Sequence, residues 1–158
     1  MIIELGHYAL VLALATVIVQ FVLPLVGTIR GDRALMAVAP AAALAGFMLV
    51  LFSFSVLTFA YVVSDFSVVN VVENSHSLKP MIYKISGVWG NHEGSMMLWL
   101  LILVFFSALV ATFGVNLPER LRANVLAVQG LISVAFALFI LLTSNPFLRL
   151  SPAPAEGR

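Results

Sequence analysis

The chain has 158 residues, of which 62% are hydrophobic and 9% charged, with a formal net charge of +1. Soluble domains carry about 25% charged residues, so this composition excludes an ordinary soluble domain and defines an integral membrane protein. It also leaves no basic patch for nucleic acid. The absence of cysteine excludes disulfides, cysteine–zinc sites, thiol catalysis and covalent c-type haem attachment by the chain itself.

The opening MIIELGHY carries Glu4 and no Lys or Arg. It lacks the basic region of a signal peptide, so the first apolar run is expected to remain in the mature protein. Four apolar runs reach the roughly 20 residues a helix needs to cross a bilayer. They cover residues 8–27, 37–63, 96–114 and 125–143, and none contains Asp, Glu, Lys or Arg. Gln20 and Gln129 are the most polar side chains within them and read as interhelical hydrogen-bond partners. GTIRGDR breaks the chain after the first run. GVNLPER breaks it after the third, with Gly114 at a C-cap and Pro118 just beyond. The second run is longer than the hydrocarbon requires and is expected to tilt or project. Ala42 and Gly46 within it form a small-xxx-small pair suited to close helix approach.

These features predict an all-α integral membrane protein, a single membrane domain over 1–158 with four transmembrane helices. Arg30, Arg33, Arg120 and Arg122 lie in the two short loops, and positive charge in short loops marks the cytoplasmic side. Both termini and the long middle loop, residues 64–95, are therefore expected to be periplasmic. Arg149 counts the other way.

The middle loop is too long for a turn and too apolar for a disordered linker. Within LKPMIYKISGVW, helical spacing places Met81, Ile82, Ile85, Val88 and Trp89 on one face, and Lys84 and Ser86 on the other. That pattern suits a short helix in contact with membrane lipid at the interface, with Trp89 at headgroup level, or a cap packed on the bundle. ENSHS reads as a turn with His76 near its tip. Asp65 and Glu73 read as solvated loop charges.

The loop ends in VWGNHEGSMMLWLL, residues 88–101. A zinc-peptidase His-Glu-x-x-His motif would need histidine at position 96, which is Met96, so that reading fails. His92 and Met96 also cannot clamp one haem. Four residues apart on one helix they lie side by side, roughly 5–6 Å between Cβ atoms, whereas axial ligands approach from opposite faces. Two readings stay open. In one, Gly90 and Gly94 shape a turn, Asn91 caps a helix, Glu93 complements its dipole and His92 is a surface residue. In the other, Trp89, Asn91, His92, Glu93 and Ser95, with His76, contact haem or a partner. No catalytic or metal-ligating residue is identified.

WGNHEGSMMLW, VVSDFSVVNVVENSHSLKPMIYK and LLTSNPFLRLSPAPAEGR together resemble the beginning of CcmF, the large haem lyase subunit of bacterial cytochrome c maturation. The resemblance runs from ELGHYALVLAL to the last residue. It implies a multi-pass protein of the bacterial inner membrane that receives haem b from the periplasmic haem chaperone CcmE. It implies transfer of that haem to apocytochrome c, presented by a CcmH-type thiol-handling protein, with thioether formation. The family's His-Pro-Pro motif and its tryptophan-rich segment are not in this sequence, and His7, His76 and His92 match none of its haem-ligand motifs. The chain is therefore expected to be the N-terminal portion of such a protein, to pack against the remaining CcmF portion, and to leave the axial ligands to it. The fragment is not expected to catalyse alone. The alternative is a non-catalytic structural or interaction subunit that completes the bundle and docks partners.

Overall fold

The computed structural model describes residues 1–158. It is all-helical, with no strands beyond one isolated bridge between Val68 and Arg149. The long helices are α1 (Ile2–Arg30), α3 (Val38–Val62), α6 (His92–Phe113) and α7 (Glu119–Leu142). Short helices α2 (Arg33–Met36), α4 (Val69–Asn74) and α5 (Met81–Gly87) and a single 3₁₀ turn (Gly114–Asn116) complete the set. Four helical stretches are long and apolar enough to cross a membrane. Each long helix but α3 extends beyond its apolar run into polar terminal residues.

Local chemistry explains the breaks. Gly31 closes α1 in the left-handed conformation, φ 71°, which costs glycine little. Asp32 then caps α2, its carboxylate accepting from the amides of Ala34 and Leu35. At the same end of the bundle Gly114 terminates α6, and the Arg122 guanidinium donates to the freed carbonyl of Ala111. The long second run forms α3, and the short α2 precedes it, separated from it at Ala37.

The helices are arranged in the order α1–α3–α6–α7 around the bundle, with α1 packed most extensively against α3 and α7. Their contact faces are built from small residues. Ala9, Ala13, Gly27, Ala42, Ala43, Gly46, Ala123, Ala127, Gly130 and Ala137 are all buried. Large residues such as Leu12, Met48, Phe52, Trp99, Phe106 and Val128 face outward. That inverted distribution suits hydrocarbon, where close backbone approach rather than water exclusion holds helices together. Gly46 meets Val17 and Thr16 of α1, so the Ala42–Gly46 pair serves the α1–α3 seam.

Two buried hydrogen bonds fasten α1. Ser53 Oγ of α3 donates to the Gly6 carbonyl at 2.7 Å, and Gln20 Nε2 donates to the Leu126 carbonyl of α7 at 2.8 Å. Gln129 does not match its predicted role. Its Oε1 is buried without a partner, because the neighbouring Gly130 occupies the contact with α1. A Cβ on Gly130 would sit 2.9 Å from Phe21 N and 3.1 Å from Gln20 C, backbone atoms that cannot swing aside.

Overpacking of this kind costs typically about 1–3 kcal/mol. Gly130→Val is expected to lower the thermal unfolding midpoint in detergent clearly. Val128→Ala, on the exposed face two residues away, is expected to leave it nearly unchanged.

Candidate functional site

The N-terminus, the middle segment and the residues after α7 converge at one end of the bundle and are laced together there. Val69 N donates to Leu148 O at 2.9 Å and Leu150 N to Ser67 O at 2.8 Å. Arg158 N reaches Val72 O at 2.8 Å. Arg149 is the electrostatic centre of the lacing. Its guanidinium meets Glu4 Oε1 at 2.9 Å and Asp65 Oδ2 at 3.5 Å, and also donates to Ser67 Oγ. Asp65 is thus a structural acceptor rather than a solvated loop charge. Its Oδ1 also takes the Ser67 amide at 3.1 Å. Glu73 is exposed.

Beneath this cap lies a buried polar network around the start of α6. Asn91 is the N-cap, its Oδ1 accepting from Gly94 N at 2.8 Å. The same oxygen accepts from Asn70 Nδ2 at 2.9 Å. Asn91 Nδ2 donates to Tyr61 Oη at 3.0 Å and to the Gly87 carbonyl at 2.9 Å. Tyr61, fully buried at the end of α3, donates its hydroxyl to Asn70 Oδ1 at 2.6 Å. Asn70 Nδ2 also reaches Glu93 Oε2 at 3.3 Å. Tyr61, Asn70, Asn91 and Glu93 therefore join α3, α4 and α6 through side chains whose donors and acceptors are satisfied mutually, as burial demands. This network was not legible beforehand. Tyr61 and Asn70 lie in unremarkable apolar runs, and α4 has no sequence signature of its own.

The two glycines play unequal parts. A Cβ on Gly94 would lie 1.5 Å from the Val88 carbonyl oxygen, so only glycine allows the chain to double back here. Gly90 has ordinary spacing, 3.5 Å or more, and no left-handed φ. It is not sterically required.

Helix α5 differs from its expected two-faced pattern. Lys84 and Val88 point inward and are buried, with Lys84 Nζ donating to Ser64 Oγ at 2.6 Å. Met81, Ile82, Ile85 and Trp89 face outward, Ile82 with 71% of its surface exposed and Trp89 with 42%. Val88 thus leaves the predicted apolar face and joins Lys84, four residues earlier, on the buried one. The long lysine stem lies against the bundle and its ammonium reaches the polar bend at Ser64.

The three histidines lie in separate surroundings. His92 is exposed, its ring 6.0 Å from that of Phe139 in an edge contact. His76 accepts from Leu78 N at 3.2 Å and faces Glu156 at 3.9 Å. Glu156 in turn accepts from the hydroxyl and amide of Ser77 at 2.7 and 2.9 Å, bonds that hold its carboxyl below the usual carboxylate range. His7 lies near Asn145 and Phe147. Ser95 is satisfied within α6, donating to the His92 carbonyl at 2.9 Å. Of the residues singled out from sequence, Asn91 and Glu93 enter the buried network, while Trp89 and His92 present side chains outward. No group of three His, Asp or Glu side chains converges on one point.

Fold and cap define a four-span portion of a multi-pass helical membrane protein, with one end closed by folded connecting segments. Residues 89–156 match the family model described as cytochrome C assembly protein. The chain is 76% identical over 158 residues to the cytochrome c-type biogenesis protein CycK of Rhizobium meliloti (strain 1021), covering 100% of this chain and 23% of that one. It is 52% identical to CcmF of Pseudomonas aeruginosa (strain PAO1), covering 99% of this chain and 24% of the relative. A solved structure of the cytochrome c heme lyase CcmF superposes with a TM-score of 0.88 at 28% identity, over 94% of this chain and 25% of that one. Along its whole length the chain is similar to CcmF-type cytochrome c biogenesis proteins. It spans about a quarter of the length of the curated relatives it matches.

Asn91→Ala removes the cap and leaves Tyr61 and Asn70 short of partners. A lost cap costs about 0.5–2 kcal/mol and an unsatisfied buried group about 1–3 kcal/mol. The variant is expected to unfold several degrees below the parent in detergent. Asn91→Ser, which keeps a capping oxygen, is expected to fall between the two.

Proposed function

We propose that this chain is the bundle-forming N-terminal portion of a haem lyase in the bacterial inner membrane. In this reading the complete protein takes haem b from the chaperone CcmE. It joins that haem to apocytochrome c, presented by a CcmH-type protein, as each cysteine S–H adds across a haem vinyl group. The observation that carries the reading is the match to CcmF-type proteins along essentially the whole chain. The remaining CcmF portion supplies the axial ligands.

The capped end is the periplasmic, working end. Support comes from the arginines of the short loops at the opposite end. Arg149, which opposes this count, is locally neutralised by Glu4 and Asp65. Helix α5 lies in the membrane interface, its outward Met81, Ile82, Ile85 and Trp89 meeting lipid. His92 and Trp89 are the contact residues for haem or a partner, His92 through a ring N–H to a carboxylate such as a haem propionate. The satisfied inward network favours one alternative, in which the chain only completes the bundle and docks partners.

His92→Ala, in the complete protein within cells carrying the rest of the maturation system, separates these readings. A contact role predicts several-fold less mature cytochrome c at unchanged protein level. Full yield with unchanged haem affinity would remove His92 from the site.

The orientation has its own test, made simple by the absence of cysteine. Leu78→Cys, at a position 85% exposed on the capped end, is expected to react with a membrane-impermeant maleimide added from the periplasmic side. Val115→Cys, 69% exposed at the other end, should react only after lysis. The reverse pattern would invert the topology.

A further inference from the structure

Between α4, α5 and the C-terminal residues lies an open cleft of about 560 Å³, within the size range of small-ligand sites. None of the roles above uses it. Apart from Tyr83, its lining residues are charged, polar or glycine. Lys79 and Arg158 bring two cations to its wall, and Glu73 brings one carboxylate. Lys79 is held in place, its Nζ donating to the Asn74 carbonyl at 2.8 Å, which leaves two of the three ammonium protons for a ligand. Tyr83, Ser86, Gly87 and Gly90 form the α5 side.

The faces of α5 make the setting specific. Lys84 and Val88 face the bundle. Tyr83, Ser86, Gly87 and Gly90, spaced three and four residues apart, face the cleft. Met81, Ile85 and Trp89, spaced four apart, face outward as an apolar strip. A charged cleft and an apolar strip thus run along adjacent sides of one short helix, at the end of four membrane-spanning helices. A molecule that fills both is amphiphilic. Its polar end must answer both signs of charge, an anionic group opposite Lys79 and Arg158 and a cationic group opposite Glu73, with the exposed Tyr83 ring available to the cation.

We propose that this cleft seats the headgroup of a zwitterionic phospholipid bearing a primary ammonium, a phosphoethanolamine lipid. The phosphate lies against Lys79 and Arg158 and the ammonium against Glu73, while the acyl chains run beside Met81 and Ile85. The proposal rests on the reading of α5 as an interfacial helix, but not on which side of the membrane the capped end faces.

The test is native mass spectrometry of the complete protein in detergent micelles, titrated with phosphatidylethanolamine, phosphatidylcholine and phosphatidylglycerol of identical acyl composition. Phosphatidylethanolamine is expected to be retained about tenfold more strongly than either of the others, the scale of one additional charge-assisted hydrogen bond. Glu73→Gln should abolish that preference and leave phosphatidylglycerol retention intact. Lys79→Gln should weaken retention of both phosphatidylethanolamine and phosphatidylglycerol. Both positions are exposed, and an unchanged unfolding midpoint confirms an intact fold. Equal retention of phosphatidylethanolamine and phosphatidylcholine would overturn the proposal, as would indifference to Glu73→Gln. Free phosphoethanolamine that displaces the lipid at equal concentration would assign the cleft to a soluble zwitterion and overturn the lipid assignment. Because the assay reads headgroup selectivity, its failure leaves the proposed haem-lyase role and orientation untouched.

Discussion

Asn91 occupies the point where α3, α4, α5 and α6 meet, and its single amide serves all of them. The oxygen caps α6 and takes a proton from Asn70, while the nitrogen serves Tyr61 and the last carbonyl of α5. The end of a helix bundle presents orphan backbone donors and acceptors just where the solvent changes from hydrocarbon to water. A carboxamide has both functions in one rigid plane, so it can satisfy a helix N-terminus and a neighbouring C-terminus together. Removing that plane would loosen the junction of α4 and α5 with α3 and α6, which the backbone bonds of Val69 and Arg158 and the bond from Lys84 to Ser64 also hold.

The cap is also held from outside, by Arg149. One guanidinium bonded to Glu4 and Asp65 joins the first residues of the chain to the middle segment and to the residues after α7. These ion pairs are partly exposed and individually worth little. Their effect is topological, because they bring together segments separated by more than half the sequence. In the hydrocarbon part the same economy holds in another form. Small residues let the backbones approach, and two buried hydrogen bonds from Ser53 and Gln20 fasten α1 to its neighbours.

Side-chain direction divides the stretch from Trp89 to Ser95. Asn91, Glu93, Gly94 and Ser95 build the turn, whereas Trp89 and His92 point out of it. Neighbouring residues of one short segment thus serve the fold and the outer surface. A substitution here acts on one or the other according to the direction of its side chain.

Much of the architecture was legible in the residues. Uninterrupted apolar runs of membrane-spanning length, with no charge inside them, admit only helices in lipid. Gly31, Asp32, Asn91 and Gly114 mark helix ends by local chemistry that needs no tertiary partner. What composition and periodicity could not decide was pairing. Lys84 reads as a solvent-facing charge by helical spacing, yet it is buried, because the bend at Ser64 offers its ammonium an oxygen 20 residues away in sequence. Gln129 and Gln20 look alike in sequence and each buries its amide oxygen without a partner, but only Gln20 donates across a helix seam. Asp65 and Arg149 read as independent loop charges, and Tyr61 and Asn70 as background. Hydrophobicity is a local property, so the sequence alone determined the spans, while α1, α6 and α7 run past the ends of their apolar runs. Hydrogen-bond and ion-pair partners are set by which segments meet in space, and only the tertiary structure decided those.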